Sequence, residues 1–214
     1  MRKLILAPAV AAALAAATPA TAQAPVLTLT IGKPGRGPQG TVTTVRYGEL
    51  VRVSGSISEG GANRSVELIV SPYRGEPRRV MLQTDSLGFF RYAHRPTIRT
   101  GYAARSGTLA SRQAPYAHVR PKVGLRVINA RSGRFRVTMR AQPEHVSRVV
   151  WFQRRTARAH WANVKKIHIR QRNLSARFTA RLPRGFQRVR IFVPQTPGYL
   201  RGTSRFVRVR GFGR

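Results

Sequence analysis

Along most of the chain, apolar and polar side chains alternate with a period of two, the mark of strands that bury one face and wet the other. The runs are VLTLTI (26–31), LVRVSGSI (50–57), SVELIV (65–70), RRVMLQT (78–84), FFRYAHR (89–95), GYAAR (101–105) and YAHVR (116–120). After Pro121 they continue as VGLRVI (123–128), RFRVTMR (134–140), RVVWFQR (148–154), VKKIHIR (164–170), LSARFTARL (174–182), RVRIFVP (188–194) and SRFVRVR (204–210). Gly, Pro, Ser and Asn clusters separate them at intervals of roughly ten residues, which predicts antiparallel β-sandwiches. No convincing amphipathic helix interrupts the series, so the fold class is all-β.

The fourteen runs divide into two similar sets of seven. LVRVSGSI followed by SVELIVSPYR in the first half corresponds to RFRVTMRA followed by RVVWFQRR in the second. GFFRYAHRP corresponds to ARFTARLP, and SRQAPYAHVRP to SRFVRVRG. Val51 and Phe135 are 84 positions apart, and Phe90 and Phe178 are 88, so the period is about the length of one immunoglobulin-like domain. The expected units are residues 25–121 and 122–211, joined at Arg120-Pro121-Lys122. So short a junction implies domains held end to end with limited swing.

The first 24 residues depart from this pattern. Arg2 and Lys3 precede an apolar run from Leu4 to Ala17, followed by small residues, the layout of an export signal. Cleavage after Ala22 is expected, because cleavage after Ala24 would leave Pro25 first; residues 1–22 are then the signal peptide. An uncleaved anchor is the alternative, disfavoured by the shortness of the run and by Pro8 and Pro19. No later segment is apolar enough to span a bilayer, so the mature chain is expected to be secreted or held at the cell surface or envelope. The chain has no cysteine, which excludes disulfides, lipidated Cys, and Cys-based metal or nucleophile chemistry.

YGELVRVSG (47–55), VELIV, TDSLGFF (84–90), RP (95–96) and TGYAA (100–104) resemble the tandem bacterial Ig-like domains of secreted actinobacterial-type proteins. These are related in pattern to the carboxypeptidase-regulatory-like and prealbumin-like sandwiches. VVWFQRR, HWANV, VRIFVP and TPGYLRGTS resemble the companion domain. The resemblance spans nearly all of 41–210 and implies two tandem Ig-like sandwiches in an exported setting, with no catalytic residues. The chain departs from that pattern in its Arg load and in the loop EGGANRS (59–65).

Candidate chemistry is sparse. Asp85 stands alone in QTDSLGFFRYAHRP (83–96), without the further oxygen ligands of a calcium loop; it is expected to head a turn closed by Gly88. His94, His118, His145, His160 and His168 show no zinc spacing, and Glu144 and His145 are merely adjacent. There is no G-x-S-x-G elbow, Asp85 is the only aspartate, and GKPGRGPQG (32–40) lacks the order of a phosphate-cradling loop. With five of six acids in the first half, paired carboxylates are nearly unavailable. The expectation is a protein that is no enzyme, with no metal site and no cofactor. Among the aromatics, Trp151 and Phe152 fall on the expected central strand, where a buried Trp is anticipated, and Tyr102 is placed for a tyrosine corner. Trp161 and Tyr199 lie near loops, as edge packing or as stacking platforms.

Charge sharpens the picture most. The chain holds 40 Lys and Arg, 35 of them Arg, against 6 Asp and Glu, a formal net charge of +34. Residues 23–121 carry 14 basic and 5 acidic groups; residues 122–214 carry 24 basic groups and Glu144 alone. Alternation sets Arg134, Arg136 and Arg140 opposite Phe135, Val137 and Met139, Arg177 and Arg181 opposite Phe178 and Ala180, and Arg188 and Arg190 opposite Val189 and Ile191. Arg208 and Arg210 extend the set. If the strands of the first two groups share a sheet, their guanidinium groups stack about 5 Å apart from strand to strand. These nine arginines are the candidate polyanion-binding residues, since the planar guanidinium fork suits phosphate, sulfate or carboxylate. The expected partner is an anionic cell-wall or extracellular polymer. Nucleic acid is one candidate, bound non-specifically because no recognition helix is offered. The alternatives are a solvated basic face, and a spacer or docking module for another exported protein.

Overall fold

In the computed structural model, which describes residues 24–35, 40–58 and 61–213, all fourteen alternating runs form strands and no helix occurs among the described residues. The proposed signal peptide lies outside them. The first half contains β1 (Leu27–Gly32), β2 (Val42–Arg46), β3 (Val51–Ile57), β4 (Ser65–Pro72), β5 (Arg78–Gln83), β6 (Phe89–His94), β7 (Thr100–Ser106), β8 (Leu109–Ala110) and β9 (Tyr116–Arg120). The second contains β10 (Lys122–Asn129), β11 (Arg134–Arg140), β12 (Val149–Arg155), β13 (Trp161–His168), β14 (Ser175–Thr179), β15 (Gly185–Val193), β16 (Gly202–Thr203) and β17 (Val207–Gly211).

Among the described strands, pairing stays within each half. One sandwich faces sheet β1-β3-β6 against sheet β2-β9-β7-β4-β5, with β8 added to β7. The other faces β10-β11-β14 against β13-β12-β15-β16, with β17 also paired to β15. The correspondence read from the sequence is thus a correspondence of sheet position. β3 and β11 are each the middle strand of a three-stranded sheet, while β4 and β12 each pair with the next strand in sequence and with a later one. Among the described strands, the one parallel pair is β2–β9, in a ladder otherwise antiparallel.

Each core forms where the inward set of one sheet meets that of the other. Leu29, Val51, Val53 and Phe90 pack with Val66, Leu68, Tyr102 and Val119 in the first; Phe135 and Val137 pack with Val150, Phe152, Val189 and Ile191 in the second. Full burial of each such aliphatic or aromatic side chain contributes about 1.5–3 kcal/mol. The rings of Phe135, Phe152 and Phe178 lie 4.8–5.4 Å apart and form the centre of the second core. Phe152, not Trp151, is the buried aromatic of the central strand: Trp151 is half-buried on the outer side, because its neighbours Val150 and Phe152 take the inward positions.

The junction is packed. β9 passes into β10 with only Pro121 between them. Tyr199, 2% exposed, donates its hydroxyl proton to the Thr97 carbonyl and accepts a bond from the Gln142 amide at 2.7 Å. Gln142 Nε2 donates to Thr97 Oγ1 at 2.9 Å, the Arg99 amide to the Gly198 carbonyl at 3.1 Å, and the Leu200 amide to the Val119 carbonyl at 3.0 Å. Gly202 permits the closest approach, since a Cβ there would lie 2.7 Å from Cγ of Pro121. Tyr199 is therefore an interdomain wedge and not a stacking platform.

Candidate functional site

Asp85 turns the chain. Its Oδ1 accepts bonds from the amides of Leu87 (3.0 Å) and Phe89 (2.9 Å), while its carbonyl accepts from Gly88 at 3.0 Å. Gly88 has φ of 81°, and a Cβ there would sit 2.6 Å from the Ile57 carbonyl oxygen, so both backbone conformation and space call for glycine. The carboxylate is spent on two backbone amides of its own turn.

Three histidines are framed by aromatic rings. His94 Nδ1 shares a 2.8 Å hydrogen bond with the Tyr102 hydroxyl, and burial, aided by the Arg78 charge, lowers its pKa. Tyr102 thus meets a side chain where a tyrosine corner would bond backbone, and burial raises its own pKa. His118 stands edge-on to Tyr116 at 4.9 Å, and burial, then Arg99, lowers its pKa. His145 stands edge-on to Tyr73 at 5.9 Å, across the junction.

The nine candidate arginines fall on three surfaces of the second sandwich. On β11, Arg134, Arg136 and Arg140 point outward while Phe135, Val137 and Met139 are buried. β11 lies between β10 and β14, and the register sets Arg126, Arg136 and Arg177 directly across three strands, with Lys122 opposite Arg140. Like charges placed directly opposite destabilise a ladder, and this row sets three of them side by side. Arg126 and Lys122 were absent from the candidate set. Their signal was present, since Arg126 alternates with Leu125 and Val127, but only the pairing of β10 with β11 makes it count.

The second surface is the outer side of the opposite sheet. There Arg188 and Arg208 are direct cross-strand partners, and Phe186 faces Arg210. Each candidate arginine here lies over an aromatic ring: Arg188 over Phe206 at 5.4 Å, Arg190 over Trp161 at 4.0 Å, Arg208 over Phe186 at 4.3 Å and Arg210 over Phe212 at 6.0 Å. Such contacts are worth about 0.5–1 kcal/mol each at exposed sites and hold the guanidinium plane in place. Arg190 is fixed further by donating its Nε proton to Gln153 Oε1 at 2.9 Å, and burial lowers its pKa. Trp161, one of the two candidate platforms, is therefore covered by Arg190.

Arg181 joins neither row. It lies beyond β14, where it lines a groove of about 890 Å³ with Arg131 and Phe212 at the end of the sandwich remote from the junction. Among the described residues of the second sandwich, no Lys or Arg lies within ion-pair distance of a carboxylate; in the first, Arg79 pairs with Glu67 at 3.3 Å.

No protein-family model matches the chain, and no curated protein matches it. Solved structures do. A tetra-tandem repeat in the extending region of a large adhesion protein is similar over 90% of this chain and 51% of its own, at 13% identity and a TM-score of 0.39. The D0–D1 domain of Intimin is similar over 87% of this chain and 100% of its own, at 12% identity and a TM-score of 0.34. The chicken CNTN1 FN1–FN3 domains are similar over 75% and 61%, at 15% identity and a TM-score of 0.31. This chain thus spans about half the length of the adhesion-protein structure.

Proposed function

We propose that this protein is an exported, non-catalytic envelope or matrix module whose second sandwich binds anionic polymers through its outward arginines. The reading takes residues 1–22 as a cleaved signal and 25–121 and 122–211 as the two units. The Arg126–Arg136–Arg177 row carries it: three guanidinium groups share one sheet face with no carboxylate at ion-pair distance among the described residues. An extended polyanion laid on that face relieves the cross-strand repulsion and receives charge-assisted hydrogen bonds. The opposite face, with its ring-mounted arginines, offers a second track.

The deciding experiment is retention on an immobilised heparin-like polymer, isolated cell wall and DNA, titrated with salt. Log affinity for DNA is expected to fall linearly with log salt, with a slope of about −0.7 to −0.9 per phosphate contacted. Neutralising Arg134, Arg136, Arg177 and Arg181 is expected to weaken retention far more than neutralising Arg78 and Arg79. Equal effects would remove the assignment to the second sandwich, and salt-indifferent retention would remove the polyanion reading.

A second reading, docking of another exported protein, is favoured by β5, a sheet-edge strand on which Met81 is 66% exposed. Stoichiometric capture of one partner that survives high salt would support it.

A further inference from the structure

Where the two sandwiches meet, a cleft of about 390 Å³ is lined by four arginines that come from both of them: Arg46 and Arg120 from the first, Arg190 and Arg201 from the second. Arg46 and Arg120 end β2 and β9 and are direct partners in the parallel register, so their side chains leave neighbouring strands side by side. Arg190 reaches the cleft from the outer side of β15, already held by Gln153 and by the face of Trp161. Arg201 and Thr203 flank Gly202, the glycine pressed against Pro121, so the contact that closes the junction also forms this wall.

Among the described residues, no carboxylate lines the cleft. The nearest acid in sequence, Glu49, uses its Oε2 to accept the Arg46 backbone amide at 2.8 Å. Arg46, Arg120 and Arg201 are exposed, with no ion-pair partner among the described residues. Four guanidinium groups, three from separate strands and one from the residue before β16, repel one another, and a compact ligand with several oxyanion groups is the complement that removes this repulsion. The volume lies in the range of small-ligand sites. Arg190 covers Trp161, and among the eight described lining residues only the half-buried Phe192 is aromatic, so the cleft offers chiefly forks and a hydroxyl and little ring surface for a base.

We propose that this junction cleft is a discrete binding site for one multiply charged unit of an acidic polysaccharide, a sulfated or uronic-acid disaccharide, gripped by Arg46 and Arg120 on one side and Arg190 and Arg201 on the other. It rests on the polyanion-binding reading above but assigns a different place and a defined size of ligand. The long faces supply avidity for polymer of any register; the cleft selects a unit and ties the two sandwiches together when it is filled.

The test is calorimetric titration of the purified protein with a short, sulfated heparin-like tetrasaccharide, beside salt-titrated retention on the long polymer. The Arg46→Gln/Arg120→Gln variant is expected to lose about tenfold or more in tetrasaccharide affinity, while its retention on long polymer changes less than twofold. Arg136→Gln/Arg177→Gln is expected to show the reverse pattern. Both positions of the first variant are exposed, and an unchanged thermal midpoint without ligand verifies its fold. Equal tetrasaccharide affinity in wild type and Arg46→Gln/Arg120→Gln overturns the site, as does absence of binding by wild type. A single-stranded oligonucleotide of equal charge that binds as tightly and is as sensitive to the variant overturns the polysaccharide assignment. Any of these results can occur while long-polymer retention stands, so failure of the cleft and failure of the polyanion reading are separately visible.

Discussion

The two sandwiches share an order of strands and treat charge in opposite ways. In the first, acids have local tasks: Asp85 closes a turn, Glu49 receives the Arg46 amide, and Glu67 meets Arg79. In the second, the single acid is Glu144, exposed in the loop between β11 and β12. The arginines there rest on aromatic rings or stand in rows open to solvent. A sandwich needs its inward positions apolar and leaves its outward positions almost unconstrained. The same topology therefore tolerates a moderately basic surface with some local acids and a strongly cationic one almost without them, and the difference between them is available for function.

The comparison can be broken most severely at the cores. Phe152→Ala on β12 is expected to cost about 3–5 kcal/mol and Leu68→Ala on β4 about 2–5 kcal/mol, read by chemical denaturation. If Phe152→Ala costs under about 1 kcal/mol, the aromatic trio is not the centre of the second core. Next comes the wedge. Tyr199→Phe removes a hydroxyl that both donates to Thr97 and accepts from Gln142, a loss of about 1–3 kcal/mol.

Burial pushes the Tyr199 hydroxyl up to about 12 from its ordinary value near 10, against the opposing bond from Gln142. A pKa raised in the folded state means that the unfolded chain gives up its proton first. The associated stability is present below about pH 10 and is lost as pH rises towards 12. Unfolding midpoints followed across that range should fall less steeply in Tyr199→Phe; identical slopes would show that the wedge does not titrate with the fold.

Asp85→Ala is expected to cost about 1–2 kcal/mol, because the amides of Leu87 and Phe89 lose the carboxylate that accepts from them. The same measurement separates a turn from a site, because a catalytic or metal-binding role predicts little change in stability. The smallest effect is expected at the arginine row. Arg136→Gln/Arg177→Gln should alter stability by no more than about 0.5 kcal/mol, and in the stabilising direction at low salt, since it relieves like-charge pairing. A clear destabilisation would mean that the row is structural.

Strand positions were legible because period-two alternation is a local property; each of the fourteen runs became a strand for that reason. β2 was not legible: its inward positions are held by Thr43 and Val45, and a buried threonine does not interrupt a polar stretch visibly. β8 and β16 have two residues each, too few to carry any period. For the arginines, alternation determined that Arg134, Arg136, Arg177, Arg188, Arg190, Arg208 and Arg210 face away from a core. It could not say which core-backed sheet each belongs to, because inward and outward are defined along one strand while a sandwich has two outer faces. Nothing in the sequence marked Arg46, Arg120 and Arg201 as neighbours, since a cleft between domains exists only after both have folded and docked. By itself, then, the sequence determined an all-β chain of two similar units with most of its net charge in the second. Tertiary structure alone decided which charges meet, because convergence in space depends on long-range pairing and on the junction around Tyr199, and no local pattern records either.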